Sequence, residues 1–362
     1  MYDYRKRQNK IIDKIIIKLI RKIEKLKYKY YSPITQLQFM GMGHMYSQLI
    51  KISIELDLPD ILNNNELSIE ELALKTNTKK LLLYRVLRVL NAMQIININK
   101  KTKKYSLGKF GIYLIKNNVF SIRNMLMIQA TDWYWGYKGI INTLKNGKLN
   151  IPDNFSSFWE YLEKNQIQSQ YFNNSMEESS KLIMPEIISK YNFTKYKHIF
   201  DIGGGNGNFL FSILNKYNNI KGTLFETKNN IIEAEKSNKF SDRCNFICGS
   251  FFNKIPPGGD CYIMKHILHD WDDKKAKIIL KNCNNAMNPK DSLLLCEIII
   301  NDIEYNWYSL YLDMLLLSIF GGKERTKKEF GKLLKESGFK IIRIIKTKSF
   351  ISIIEAIKIT NV

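Results

Sequence analysis

The spacing of apolar positions changes character near residue 196. Before it they recur at intervals of three and four, the helical period; after it they come as short runs, each followed by a helical stripe. Within the strongly basic residues 1–30, Ile12, Ile15, Ile16, Leu19, Ile23 and Leu26 mark an amphipathic helix. Residues 41–62 read as a second helix, with Met45, Leu49, Ile50, Ile52 and Leu56 on one side. Ser68-Ile-Glu-Glu71 is a capping box that opens a short helix. Lys79 to Met93 is another, with Leu82, Val86, Leu87 and Leu90 apolar. Ile95–Ile98 and Tyr105–Leu107 alternate like a ribbon joined by a Lys-rich turn, and helices followed by a ribbon make a winged-helix plan. Residues 109–190 are helical and aromatic-rich, and Gly147, Pro152 and Pro185 are expected helix ends.

From Tyr196 onward, strands are expected at 198–202, 221–225, 244–248, 260–264, 292–298, 339–346 and 350–356, with helices between. This is a doubly wound α/β sheet of Rossmann type that ends in an antiparallel hairpin. The pattern divides the chain into a basic helical extension (1–39), a mainly α winged-helix-like module (40–117), a helical linker (118–190) and the α/β domain (191–362).

Bulk composition narrows the class. At 362 residues and 45% apolar content, the chain can bury a full core. It has no run of 18 apolar residues and no cleavage-site pattern after its basic start, so neither a membrane span nor a secretory signal is expected. Cys244, Cys248, Cys261, Cys283 and Cys296 form no C-x-x-C pair. Cys248, Cys261 and Cys296 lie within or beside apolar strand-like runs, so buried free thiols of a reducing cytoplasm are expected, and no metal site is. The formal charge of +22 invites a nucleic-acid reading, but the lysines are scattered and no aromatic platform interleaves with them. The N-terminal helix is expected to pack on its own protein or a dimer mate, with weak contact to a membrane surface or an organelle-targeting role as rivals.

The candidate chemistry begins at His198-Ile-Phe-Asp-Ile-Gly-Gly-Gly-Asn-Gly-Asn-Phe-Leu210, a buried strand that breaks at glycines and restarts as a helix. Glycines belong where φ is positive or where a ligand lies against bare backbone. A dinucleotide turn wants G-x-G-x-x-G, but Asn208 stands at its third glycine, and Asp201 would repel a pyrophosphate. A cofactor with an ammonium and a sulfonium suits Asp201 better. Glu226 ends the next apolar run, where an acid typically binds ribose hydroxyls. Together these favour S-adenosylmethionine over NAD. The rule that ligands bind beyond the carboxyl ends of the strands then places Asp201, Glu226, Gly249-Ser250, Lys265 and Glu297 around one crevice.

Tyr262-Ile-Met-Lys-His-Ile-Leu-His-Asp-Trp-Asp-Asp273 leaves a strand with two of the four histidines. His269 is the candidate general base, its ordinary pKa of about 6.5 suiting proton transfer near neutrality. His266 would point elsewhere if the segment is helical. Glu297 could hold the imidazole tautomer. Glu324 precedes a helix capped by Thr326. Asp132-Trp-Tyr-Trp135, Phe155, Phe158, Trp159 and Phe172 are candidates to line an apolar substrate pocket, with plain core packing as the alternative.

These motifs, Asp201-Ile-Gly-Gly-Gly-Asn-Gly207, Gly249-Ser-Phe-Phe252, Lys265-His-Ile-Leu-His-Asp-Trp-Asp-Asp273, Glu297, Asp313-Met314 and Gly321-Gly-Lys-Glu-Arg-Thr326, resemble the S-adenosylmethionine-dependent O-methyltransferases of the plant caffeic-acid and acetylserotonin type. The resemblance covers about residues 40–358, and Ser250-Phe-Phe252 is closer to the bacterial secondary-metabolite branch than to the plant Asp-Met version. It implies His269 as base flanked by Glu297 and Glu324. It implies cofactor contacts at Asp201, Gly203, Gly205, Glu226, Gly249, Ser250, Phe251 and Lys265. It places Phe172, Met176, Asp313 and Met314, with Trp133 from the aromatic segment, around the acceptor. It also implies a homodimer through the front module, a small hydroxyl-bearing acceptor and no metal. The alternatives are N-methylation, decarboxylation or hydroxylation on the same fold, or a winged-helix DNA-binding regulator.

Overall fold

The computed structural model describes residues 31–151, 155–237, 240, 242–301 and 306–359. The N-terminal amphipathic stripe and Pro152 lie outside the described residues. The front module contains α1 (Pro33–Gly41), α2 (Gly43–Glu55), α3 (Leu58–Ile61), α4 (Ile69–Lys75) and α5 (Lys80–Ala92). It closes with the antiparallel ribbon of β1 (Ile96–Ile98) and β2 (Tyr105–Leu107). The Ser68–Glu71 capping box forms as expected. Leu58, Leu72, Leu83, Leu87, Leu90 and Ile96 make the core. Leu82 and Met45, on the apolar sides of their helices, are exposed; α5 turns Leu81, Leu82, Tyr84 and Val89 outward together.

The single helix expected over 41–62 is instead two, broken at Asp57, which takes φ +52°. The reason is tertiary. Arg123 donates to Asp57 at 2.8 Å, to Asp60 at 2.7 Å and to the Ile54 carbonyl at 2.9 Å, so one guanidinium fixes the bend.

The linker holds α6 (Arg123–Ala130), α7 (Asp132–Lys138), α8 (Ile140–Asn146), α9 (Phe158–Lys164) and α10 (Gln166–Lys190). Gly147 ends α8 at φ +66°, as expected. Pro185 does not end a helix but lies inside α10. Its lost backbone bond is offset by the burial of Ile183, Met184 and Ile187 against the sheet. The same helix places Tyr171 on the front core and Phe172 in an aromatic cluster. Its Glu178 accepts the Asn124 and Met125 amides at the start of α6. One helix thereby ties the modules together.

The rear domain runs β3 (His198–Ile202), α11 (Asn208–Lys216), β4 (Lys221–Glu226), α12 (Lys228–Ser237), β5 (Cys244–Cys248) and β6 (Cys261–Lys265). It continues through α13 (Asp273–Ala286), β7 (Ser292–Ile300), α14 (Trp307–Leu315), β8 (Arg325–Thr326), α15 (Lys327–Glu336), β9 (Phe339–Lys346) and β10 (Ile351–Lys358). The strand order is β5-β4-β3-β6-β7-β10-β9, with the short β8, unforeseen from sequence, against β7. Strands β3 to β7 pair in parallel, and β10 is antiparallel to both neighbours. Alternate side chains serve the two faces. Ile199 and Ile263 join the layer of α10 and α11, whereas Phe200, Ile202, Tyr262 and Met264 join that of α13 and α15. The order reverses between β3 and β6, so a crevice opens at their carboxyl ends, where such sheets bind ligands.

Cys261 and Cys296 are buried as expected, as are Cys244 and Cys283, but Cys248 is exposed. It is the last residue of β5, an edge strand with β4 on one side only, and so lacks the cover its neighbours have.

Candidate active site

The glycine turn follows β3 directly. Gly203, Gly205 and Gly207 all have positive φ, +69°, +59° and +78°. A Cβ at Gly205 would meet nothing within 4 Å, so its backbone borders open space. Beneath the turn, Asp201 is 1% exposed and neither carboxylate oxygen has a hydrogen-bond partner. Burial raises it to about 7, against the opposing pull of Lys265. A buried, unpaired carboxylate beside bare backbone is what a cationic ligand fits.

Glu226 sits at the end of β4, raised by burial and bonded to Asn230 at 3.0 Å and to the Thr227 amide. Gly249 is tied to Glu226 by a 3.0 Å backbone bond, and Ser250 is exposed with its hydroxyl accepting the Phe252 amide. Phe251 packs on Phe252 and edge-on to Trp271. Lys265 ends β6 and donates to Ser180 of α10 at 3.0 Å. Burial lowers its ammonium while Asp201 pulls the other way.

His269 occupies a short 3₁₀ turn, Leu268–Asp270, beyond β6. Its Nδ1 lies 3.0 Å from Glu324 Oε1 and 3.9 Å from Glu297 Oε2, and its Nε2 lies 3.5 Å from Asp270. The holding partner is thus Glu324 rather than Glu297. Glu297, wholly buried, instead accepts the Ile267 and Leu268 amides at 3.1 and 2.9 Å and pins the turn. Glu324 is fixed by its own amide, which donates to Asp313 Oδ1 at 2.8 Å.

Nor does His266 point away from His269. It takes φ +56°, so the segment is not helical there, and the two rings lie 4.9 Å apart.

The electrostatics follow from three carboxylates around one imidazole. Burial would lower His269, but Asp270, Glu324 and Glu297 outweigh it and raise it to about 10. Burial raises Asp270 to about 6 and Glu297 to about 7, each partly countered by His269. The turn therefore favours an imidazolium held by carboxylates. His269, Glu297 and Glu324 also set one donor atom each within 4.8 Å, a spacing able to bracket a cation. The imidazole nitrogen is already bonded to Glu324, and one Glu297 oxygen to two amides.

Of the expected acceptor residues, Trp133 and Phe172 are buried together with Phe158, Tyr161, Leu315 and Ile319, and Met176 packs against them. Asp313 is taken up by Glu324, and Met314 is exposed. Trp135 and Tyr134 are exposed, so they leave the aromatic cluster. Trp159 stacks on Trp271 at 6.2 Å, which carries the aromatic wall from the helical linker to the residues beside His269.

Two supporting residues were missed. Arg325, 0% exposed, donates to the Leu268 and Trp271 carbonyls at 2.7 and 2.8 Å and to Asp273, clasping the His269 turn from both sides. Gly322 lies so close that a Cβ would sit 1.9 Å from the His269 carbonyl. Both stand in the Gly321–Thr326 motif that carries the resemblance, but a charged residue reads as surface and a second glycine as part of a turn, so neither was given a role of its own.

A topological switch point with a glycine turn, an unpaired buried acid and an imidazole clasped by carboxylates is the arrangement of a sheet with a ligand crevice beyond its carboxyl ends. Comparison with known proteins agrees. Residues 143–340 match the O-methyltransferase domain model, and residues 38–117 the O-methyltransferase dimerisation domain. The chain is 30% identical to the phenazine O-methyltransferase PhzM of Lysobacter antibioticus over 88% of its own length and 94% of that protein. It superposes on the LaPhzM crystal structure with TM-score 0.85 at 29% identity, covering 91% of this chain and 100% of that one. The O-methyltransferase NcsB1 of neocarzinostatin biosynthesis, solved with S-adenosylmethionine and 2-hydroxy-5-methyl naphthoic acid, gives TM-score 0.75 at 25% identity, over 87% of this chain and 96% of that one.

The chain belongs to the S-adenosylmethionine-dependent O-methyltransferases of secondary-metabolite type. Its front module is accordingly a dimerisation domain. Among the described residues, no helix is long and apolar enough to cross a membrane.

Proposed function

We propose that the chain methylates a hydroxyl on a flat, largely apolar aromatic acceptor, with His269 as general base, acting as a homodimer. S-adenosylmethionine, when bound, supplies an electrophilic methyl on a sulfonium sulfur that departs as a neutral thioether with the bonding electron pair. Gly203, Gly205, Asp201, Glu226, Gly249, Ser250, Phe251 and Lys265 would hold it, the unpaired Asp201 facing its positive charge.

The observation that carries the reading is the 3.0 Å bond from His269 Nδ1 to Glu324. It leaves Nε2, whose nearest carboxylate is Asp270 at 3.5 Å, as the nitrogen for the acceptor hydroxyl. Once the ring is neutral, a state that the surrounding carboxylates oppose, His269 takes the hydroxyl proton as the oxygen–methyl bond forms, and Glu324 stabilises the resulting imidazolium. Such help is worth roughly 10²–10⁴-fold, with alignment of acceptor and methyl supplying much of the rest. Trp133, Phe172 and Met176 would supply the apolar side of the acceptor site, and Asp313, which accepts the Glu324 amide, would approach it with Met314, its neighbour in the chain. The PhzM and NcsB1 relatives support an aromatic acceptor: the one is named for a phenazine, the other solved with a naphthoic acid.

The test is to incubate the pure protein with S-adenosylmethionine and a panel of hydroxylated phenazines and naphthalenes, and to look by mass spectrometry for products heavier by one CH₂. His269→Ala should lose nearly all turnover while S-adenosylhomocysteine binds with unchanged affinity. Equal loss of binding and turnover would make the histidine structural and end the base assignment.

A further inference from the structure

We propose that His266 is a specificity-determining contact of the acceptor, reading a second oxygen placed next to the hydroxyl that is methylated. This rests on the methyl-transfer reading of the same site.

The backbone at His266 is bent for a reason that does not involve its ring. Its amide donates to the Cys296 carbonyl at 3.1 Å, and the next two amides converge on Glu297 Oε1 at 3.1 and 2.9 Å. Making those three hydrogen bonds to two acceptors puts residue 266 at φ +56°, where glycine or asparagine would serve and most side chains are disfavoured. The fold needs the conformation, not the imidazole.

The ring is nonetheless set 4.9 Å from that of His269, tilted by 39°. Its Nε2 is buried and has no hydrogen-bond partner. Burial, with the positive charges of His269 and Lys265 on either side, holds the ring neutral, and a neutral imidazole offers one donor and one acceptor. The reacting oxygen has to come within hydrogen-bond reach of His269, so a group flanking it on the acceptor falls beside His266. A hydroxyl or carbonyl there satisfies the orphaned nitrogen, whereas a C–H leaves it buried and unpaired. A site of that kind discriminates strongly against the analogue that lacks the polar group.

The experiment compares 2,3-dihydroxynaphthalene with 2-naphthol, which differ by that one oxygen. The readouts are the ratio of kcat/KM values and the ratio of dissociation constants in the S-adenosylhomocysteine complex, followed by tryptophan fluorescence. Ratios cancel any general loss of activity. The wild type should prefer the diol by about tenfold or more, the worth of one hydrogen bond. His266→Gly, which suits the backbone, should bring both ratios towards one. His266→Asn, which suits the backbone and keeps an amide donor and acceptor, should fall between. Ratios unchanged in both variants overturn the proposal, as does a wild type without preference. If the wild type methylates neither compound, the acceptor class proposed above is wrong, and the binding ratio still decides the role of His266.

Discussion

Oε1 of Glu324 lies 3.0 Å from Nδ1 of His269, while the nearer oxygen of Glu297 stands off at 3.9 Å with its partner oxygen bonded to the amides of Ile267 and Leu268. The two acids therefore do different things, and their amide variants separate them. Glu324→Gln removes the charge that stabilises the imidazolium and should lower kcat by about 10²–10³-fold with little change in cofactor affinity. Glu297→Gln leaves the imidazole its direct partner but disturbs the turn, so melting temperature should drop along with kcat. Steady-state kinetics and thermal melts on both variants check this, and identical behaviour would contradict the division of roles.

The raised imidazole has a pH consequence. Below about 10, His269 holds its proton, and a base must be neutral to act, so kcat/KM should climb as pH rises from about 6 towards about 9. Glu324→Gln removes one of the charges that raise the group and should move the rising limb to lower pH. On the stability side, a folded value above the unfolded 6.5 means that His269 contributes fully below about pH 6.5 and ever less as pH rises through about 10. A flat profile across that range in wild type, or a limb that Glu324→Gln does not move, would show that His269 is not the titrating base.

Asp201 governs the other half of the site. Raised to about 7 by burial, it is largely protonated at pH 6 and ionised at pH 8. If it faces the positive cofactor, the affinity for S-adenosylmethionine should strengthen from pH 6 to pH 8, and Asp201→Asn should both weaken binding and flatten that dependence. Calorimetric titration at several pH values measures it. Equal affinities in wild type and variant at pH 8 would remove Asp201 from the cofactor contacts.

Arg325 joins the β8 strand to the His269 turn through two backbone carbonyls and Asp273. Arg325→Met should cost about 1–3 kcal/mol for each of the two carbonyls left without a donor. Lysine should not restore the loss, since a single ammonium cannot reproduce the planar fork. Chemical denaturation of the three proteins gives the comparison; a methionine variant as stable as wild type would mean that water replaces the guanidinium.

The outward row of Leu81, Leu82, Tyr84 and Val89 on α5 belongs to the matched dimerisation domain. A Leu81→Lys, Leu82→Lys double variant should shift the protein to monomer in light scattering, because two charges would be buried without partners. An unaltered dimer would place the interface elsewhere on the module.

The sequence by itself determined the sheet and most of its strand limits. Buried parallel strands are continuous apolar runs, glycines at 203, 205 and 207 announce the turn, and Ser68 and Thr326 announce the helices that they cap. These are local signals, written in neighbouring residues. The tertiary structure alone decided what depends on distant partners: the Asp57 bend held by Arg123, the passage of α10 through Pro185, the burial of Arg325, and the choice of Glu324 over Glu297 for the imidazole. Residues 297 and 324 lie 27 positions apart, and no pattern along the chain fixes which carboxylate reaches the ring. That distance was set by how β7 and the Gly321–Gly322 turn pack beside the loop leaving β6, a matter of three-dimensional fit rather than of composition or period.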